Sequence, residues 1–327
     1  MLRHDPAQLD HSVLRPALAG RHGGLAQGGL SFAILDRTNL TIEIGGIALA
    51  CRLAGEEGEF HVPANHHPFL SQRDPDLVLD CRYRPVPEHL LGGEMVFDTE
   101  PLWSLHQVEG GQMWRQMSAT VQPIPQRAAF FPSEMGAIQV YTAAFRQMDG
   151  LWTYPIHHPL DKFLYAHLLP WRQGMTCHAS SVDDRGRGFL FVGVSESGKS
   201  TMAGLWHGQE DVRVLSDERT VVRFQDGFRI YGTPWHGSLP VYSPSSAPLA
   251  AILFLKQGPR NELVEIGRSD AAKRLMVCGY LPFWSAAAME ASLDLLDRLT
   301  AQVPCLELTF VPDGRVVDLV RRAAAEG

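Results

Sequence analysis

Cysteine is scarce and unpatterned in this chain: Cys51, Cys81, Cys177, Cys278 and Cys305 lie far apart, and no C-x-x-C pair occurs. An odd, dispersed set supplies neither a disulfide framework nor a zinc-binding spacing, and a reducing cytoplasmic compartment is expected. Positive charge is not in excess either, since 29 Lys and Arg against 36 Asp and Glu leave a formal net charge of −7. Without a basic block, a nucleic-acid grip built on phosphate neutralisation is not expected. Long apolar runs are missing too. The first 24 residues lack the uninterrupted apolar core of a signal peptide, and PLAAILFL (248–255) falls far short of the ~20 apolar residues of a membrane span. No membrane partner is expected.

What is present is ordinary globular composition, 45% hydrophobic and 20% charged over 327 residues, enough for two domains. Residues 1–25 carry early Pro and Gly and little apolar periodicity, so they read as a flexible tail. Residues 26–150 hold short runs rich in Val, Ile, Phe and Tyr between turn residues, among them LSFAIL, LTIEI, IALACRL, DLVLDCRY and AIQVYTA. Gly45-Gly46 and Gly110-Gly111 mark two hairpins, and an antiparallel β-rich domain is expected, serving substrate recognition or assembly.

After Pro155 the period lengthens, with Leu160, Phe163, Leu164 and His167 or Leu168 at helical spacing. The segment 151–327 then alternates strands (GFLFVGV, VRVLSDE, LAAILFL, CLELTFV), a hairpin (TVVRF-QDG-FRIYG) and helices. Helices are expected from Lys199, from Ser269 and from Ser285, the two serines acting as caps, with Met289, Leu293, Leu296 and Leu299 on the inner face of the last. This half reads as α/β.

Between GFLFV and the Lys199 helix stands GVSESGKS, residues 193–200, which satisfies G-x-x-x-x-G-K-[ST] and is followed by Thr201. Gly193, Ser195, Glu196, Ser197 and Gly198 present backbone N–H groups at a helix N-terminus, where an ATP polyphosphate can be surrounded. Lys199 can reach the β- and γ-phosphates, and Ser200 can hold Mg²⁺. Glu196 occupies a position where glycine is more common. ESGKST is similar to the phosphate loop of heterotrimeric G-protein α subunits, but neither an N-K-x-D guanine reader nor a downstream D-x-x-G follows, and no LSGGQ-like signature points to an ABC ATPase.

Three elements in order extend the motif: His178 stands fifteen residues before Gly193, the loop follows, and LSDE places Asp217 eighteen residues after Lys199, with Glu218 next. On these residues the stretch 178–218 resembles HPr kinase/phosphorylase and its relatives. The resemblance implies an α/β C-terminal P-loop kinase domain with a fold shared with phosphoenolpyruvate carboxykinase. It departs from that family in having Glu218 for Asp and in lacking the E-x-R-G-L-G signature, in whose place stands YGTPWHG (231–237). In this it looks like the kinase-related proteins encoded beside peptide-modification enzymes.

The resemblance implies an ATP- and Mg²⁺-dependent kinase acting on a hydroxyl, with Ser of a peptide or protein as acceptor and HPr itself a doubtful one. Asp217 and Glu218 divide the Mg²⁺ and general-base roles in an order the residues leave open, and His178 orients a carboxylate or contacts the γ-phosphate, becoming cationic if a carboxylate raises its pKa. The GTPWHG loop, with Thr233, Trp235 and His236, either folds over the nucleotide or simply anchors Trp235 in the core. Two alternatives stand beside this reading: a kinase of a small hydroxyl compound such as free serine or a sugar, and a non-catalytic ATP-binding regulator. A homo-oligomer is left open. His61, His66, His67, His157 and His158 lack metal-ligand spacing and read as solvated loops, Asp183-Asp184 reads as a polar turn, and Arg219, Arg223, Arg229 and Lys256 could each stabilise transferred phosphate but read as solvated strand ends.

Overall fold

Eleven strands precede the first α-helix in the computed structural model, which describes residues 39–55, 57–100, 102–117, 125–133, 136–142 and 150–326. The expected tail (1–25) and the run LSFAIL lie outside the described residues. The strands are β1 (Asn39–Ile44), β2 (Ile47–Leu53), β3 (Phe60–His61), β4 (Leu70–Ser71), β5 (Leu77–Arg82), β6 (Glu94–Asp98), β7 (Ser104–Val108), β8 (Gly111–Met117), β9 (Pro125–Pro132), β10 (Ile138–Thr142) and β11 (Trp152–Thr153). Nine of them form one sheet in the order β4-β1-β2-β5-β10-β9-β8-β7-β6, while β3 and β11 pair separately.

The β1–β2 hairpin turns at Gly45-Gly46, both at positive φ, as expected. The second hairpin, β7–β8, turns one residue earlier than expected, because Gly111 already pairs with Val108. The sheet is mixed and not purely antiparallel, since β5 runs parallel to both β2 and β10. Short apolar runs carry the strand signal but not the partner, so the parallel pairs were not readable from periodicity.

Helix α1 (Leu160–Leu168) follows, with Leu160, Phe163 and Leu164 buried at the expected spacing. Next come β12 (Gly174–Asp184), β13 (Arg187–Val192), α2 (Lys199–Trp206), β14 (Val212–Ser216), β15 (Arg219–Phe224), β16 (Phe228–Tyr231), β17 (Ser246–Gln257) and β18 (Glu262–Glu265). The chain then runs through α3 (Arg268–Cys278), α4 (Ala286–Gln302), β19 (Cys305–Phe310) and α5 (Arg315–Glu326). Strands β13, β12, β15, β16 and β17 pair in a ring, closed by the parallel β13–β17 contact, into a five-stranded barrel; β14, β19 and β18 extend it.

Both faces of β13 are covered, which is why GFLFV reads as an unbroken apolar run. Leu190 and Val192 face the core under α3 and α4, and Phe189 and Phe191 face Met202, Trp206 and Val317 of α2 and α5. Ser285 caps α4 as expected, its side chain accepting from the Ala288 amide. Ser269 does not cap α3, which starts at Arg268 behind Gly267. The buried stripe of α4 is also rotated from the expected one: Ala288, Ser292, Leu295, Leu296 and Leu299 point inward, and Leu293 is 43% exposed.

The nine-stranded sheet and the barrel share an apolar core in which Ile42, Leu49 and Phe60 cluster with Leu164, Tyr165, Val221 and Trp235. Arg223 of β15 is buried in this junction and is no solvated strand end. Its Nη1 donates to Gly45 O (2.8 Å) and Gly46 O (3.2 Å), and its Nε to Arg172 O (3.1 Å). His66 is likewise buried, against Tyr154 at 5.4 Å between ring centroids, and desolvation lowers its pKa to about 4. His157 is half-buried and accepts Arg127, with its pKa also lowered to about 4 by burial and then by that guanidinium. Asp184 leaves the expected polar turn for the interior, where Arg321 meets both its oxygens at 2.9 and 3.1 Å. All five cysteines are buried and unpaired. Among the described residues, no helix is long and apolar enough to cross a membrane.

Candidate active site

Strand β13 delivers the chain to Gly193, and α2 begins six residues later at Lys199, so the loop 193–198 spans a strand end and a helix start. Two glycines make the loop possible. A Cβ on Gly193 would lie 2.7 Å from Ser197 Cβ, and one on Gly198, which sits at φ +101°, would lie 2.6 Å from Phe310 Cζ. Glu196 adopts φ +66°, the left-handed region that explains why glycine is common there, and the residue is exposed. The Ser197 amide donates to Val194 O at 3.2 Å, while its hydroxyl is buried with no partner among the described residues. Lys199 is buried over the loop, its Nζ donating to Gly193 O (3.0 Å) and Val194 O (2.9 Å). Burial lowers its pKa, against the pull of Glu218 and Asp217.

The acidic pair follows β14, and its two members differ. Asp217 is fully buried and accepts from Ser200 Oγ (3.2 Å), Gly237 N (2.7 Å) and Leu239 N (2.9 Å). Glu218 is partly exposed, and its Oε2 lies 3.4 Å from His178 Nε2. His178 is held on β12 as the Cα partner of Arg219 on β15. Its pKa is lowered, by burial first and by Lys199 next, with Glu218 opposing. The imidazole is therefore neutral near pH 7, the reverse of the cationic form that a carboxylate neighbour alone would produce.

The segment 232–239 does fold back onto the acidic pair, through its backbone. Gly237 is where a Cβ would come 3.1 Å from both Asp217 Oδ2 and Glu218 Oε2, so a glycine lets the chain approach. Thr233 is buried, donating to Arg219 O at 2.5 Å, and Asn65 Nδ2 from the N-terminal half donates to Pro234 O at 2.9 Å. Trp235 anchors in the shared core, edge-on to Tyr165 at 5.1 Å, and His236 is exposed and stacked on Tyr242. Of the two roles open to this loop's aromatic, the core anchor is the one it adopts.

Four further residues gather beside Glu218, of which the sequence had singled out Arg219 alone. Asp161 and Lys162 come from the start of α1, Tyr280 follows α3, and Arg219 had been read as a solvated strand end. Lys162 Nζ and Arg219 Cζ each lie 5.6 Å from the Tyr280 ring centroid, and Arg219 Cζ lies 5.7 Å from that of Trp235. Asp161 is buried, which raises its pKa against the opposing charge of Arg219. The one sequence signal for this group was that Arg219 follows the acidic pair directly.

Residues 162–303 match a family model described as SynChlorMet cassette protein ScmC. No curated protein matches the chain. The matched segment spans just under half the chain. It begins at Lys162, takes in the loop, the acidic pair, the segment 232–239 and Tyr280, and ends after α4, leaving the nine-stranded sheet outside it.

The donors present fit a nucleotide polyphosphate with one Mg²⁺. The orphaned Ser197 hydroxyl and the Lys199 ammonium, which holds only loop carbonyls, supply unspent donors at a helix N-terminus. Among the described residues, no group of three or more His, Cys, Asp or Glu side chains is arranged to hold a metal. Ser200 Oγ with Asp217 behind it suits an ion that keeps most of its waters, as Mg²⁺ does.

Proposed function

We propose that the chain is an ATP- and Mg²⁺-dependent phosphotransferase that moves the γ-phosphoryl group to a hydroxyl, with Ser of a peptide or protein as the acceptor class. The observation that carries this reading is the joining of three parts around one point: the 193–198 loop with Lys199, the buried Ser200–Asp217 contact, and the Glu218–His178 pair. The HPr-kinase-like relationship read from His178, the loop and the acidic pair is part of the same proposal. The description of the matching family names a cassette and no chemistry.

In this reading Lys199 and the loop amides neutralise and orient the phosphates. When bound, Mg²⁺ would supply charge neutralisation on the phosphates. Ser200 would hold it, with Asp217 fixing the Ser200 hydroxyl. Asp217 is too enclosed to meet an acceptor, and three donors already engage it. Glu218 is the general base: it takes the acceptor hydroxyl proton as the acceptor oxygen bonds to Pγ and the Pγ–O bond to ADP breaks. Neutral His178 positions the Glu218 carboxylate.

The test is γ-labelled ATP with Mg²⁺ and host lysate, comparing the native chain with Lys199→Ala. Label on a peptide or protein, lost in the variant, is expected. Label on a small metabolite moves the acceptor to the small-molecule class. ATP binding with transfer to nothing would make the chain a nucleotide-binding regulator.

A further inference from the structure

Lys162 and Arg219 flank one ring. Each cationic centre lies 5.6 Å from the Tyr280 centroid, on half-buried side chains reaching in from α1 and β15. Neither has a carboxylate ion-pair partner within 4 Å among the described residues, although carboxylates lie close by. Glu218 is engaged by His178, and an Asp161 oxygen accepts the Lys162 backbone amide at 2.7 Å. Arg219 Nε is buried with no hydrogen-bond partner. Two cations brought together in a partly desolvated place repel, and a fold keeps such an arrangement at a cost unless an anion offsets it. Burial and then Arg219 lower the Lys162 pKa, and the nearby Asp161 and Glu218 oppose that shift without reversing it. A guanidinium whose Nε–H is unpaired and an ammonium beside it are the donors that recognise carboxylate or phosphate.

We infer that Lys162 and Arg219, braced on Tyr280, form an anion-binding subsite that holds a carboxylate or phosphate of the acceptor next to its reacting hydroxyl. The inference rests on the phosphotransfer reading and narrows its substrate class: the acceptor carries negative charge within a residue or so of the hydroxyl. Its location fits, because Arg219 directly follows Glu218 in sequence and stands opposite His178 in the β12–β15 register. Lys199 is a separate cation, turned onto Gly193 O and Val194 O.

The test uses the full chain with inorganic phosphate as probe, followed by ³¹P line broadening. Lys199→Ala weakens the loop as a competing phosphate site and leaves the subsite, so this variant is expected still to bind phosphate. Adding Lys162→Met and Arg219→Met to it is expected to weaken binding by about tenfold or more, the loss of charge-assisted contacts, and Lys162→Arg with Arg219→Lys to restore part of it. A folded Lys199→Ala chain that leaves the phosphate line sharp, or a triple variant that binds as Lys199→Ala does, overturns the subsite. Displacement of phosphate by a Glu-Ser-Glu peptide but not by succinate assigns the anion to a peptide acceptor; the reverse assigns it to a small acid. ATP·Mg²⁺ affinity of Lys162→Met/Arg219→Met, titrated separately, is expected to match the native chain. Absence of ATP binding in every form would sink the phosphotransfer reading without altering the phosphate result.

Discussion

Adjacent carboxylates with different surroundings carry different work. Asp217 is sealed behind Ser200 and two backbone amides, and Glu218 faces outward against His178. Glu218→Gln is therefore expected to cut phosphoryl transfer by about 10²–10⁴-fold, the span of a lost general base, with ATP affinity and melting temperature close to native. Asp217→Asn places an amide donor where three donors already converge. It is expected to lose transfer and also about 1–3 kcal/mol of stability, the cost of buried donors left unmatched. Urea melts of the two variants beside labelled-ATP assays separate these roles; a Glu218→Gln chain with native transfer would remove the base assignment.

At the scale of elements, the strand–loop–helix unit was legible because its signals are local. An apolar run covered on both faces, two glycines that no other residue fits, and Lys-Ser at a helix start all lie within fifteen residues, 187–201. The Ser285 cap was legible for the same reason, and Ser269 misled because Gly267 takes the capping place two residues earlier in the same polar stretch. The parallel partners of β5, the core position of Trp235 and the gathering of Lys162, Arg219 and Tyr280 are non-local, and periodicity does not encode them. Arg223 belongs with these. Arg223→Met removes three hydrogen bonds to the carbonyls of Gly45, Gly46 and Arg172, and a loss of about 1–3 kcal/mol is expected from stranding buried acceptors. Chemical denaturation measures it, and unchanged ATP affinity would place the effect in the junction and not at the loop.

For the molecule as a whole, burial of histidine predicts a loss of stability in acid. His66, His157 and His167 all have pKa values lowered to about 4, with desolvation the first cause in each. In the unfolded chain these rings protonate near pH 6.5. Between pH 6.5 and 4 the unfolded chain thus binds more protons, so stability is full above that window and falls as pH drops through it. His66 is buried and His157 and His167 are partly buried, so at up to about 1.4 kcal/mol per unit per group, discounted for the solvent reaching the last two, a loss of a few kcal/mol by pH 5 is expected in urea melts. His66→Phe and His167→Phe should flatten the slope, and a slope unchanged in both would assign the loss in acid elsewhere.

The clasp of Arg223 on the Gly45–Gly46 turn also imposes a schedule. Its hydrogen bond to Gly45 O joins residues 178 apart, and a ribosome adding roughly 5–20 residues per second needs about ten to thirty-five seconds to cover that interval. During synthesis the β1–β2 hairpin emerges first and waits, with the apolar face that will meet Val221 and Trp235 uncovered. The first hairpin of the sheet to be made is sealed only by residues from the far half of the chain.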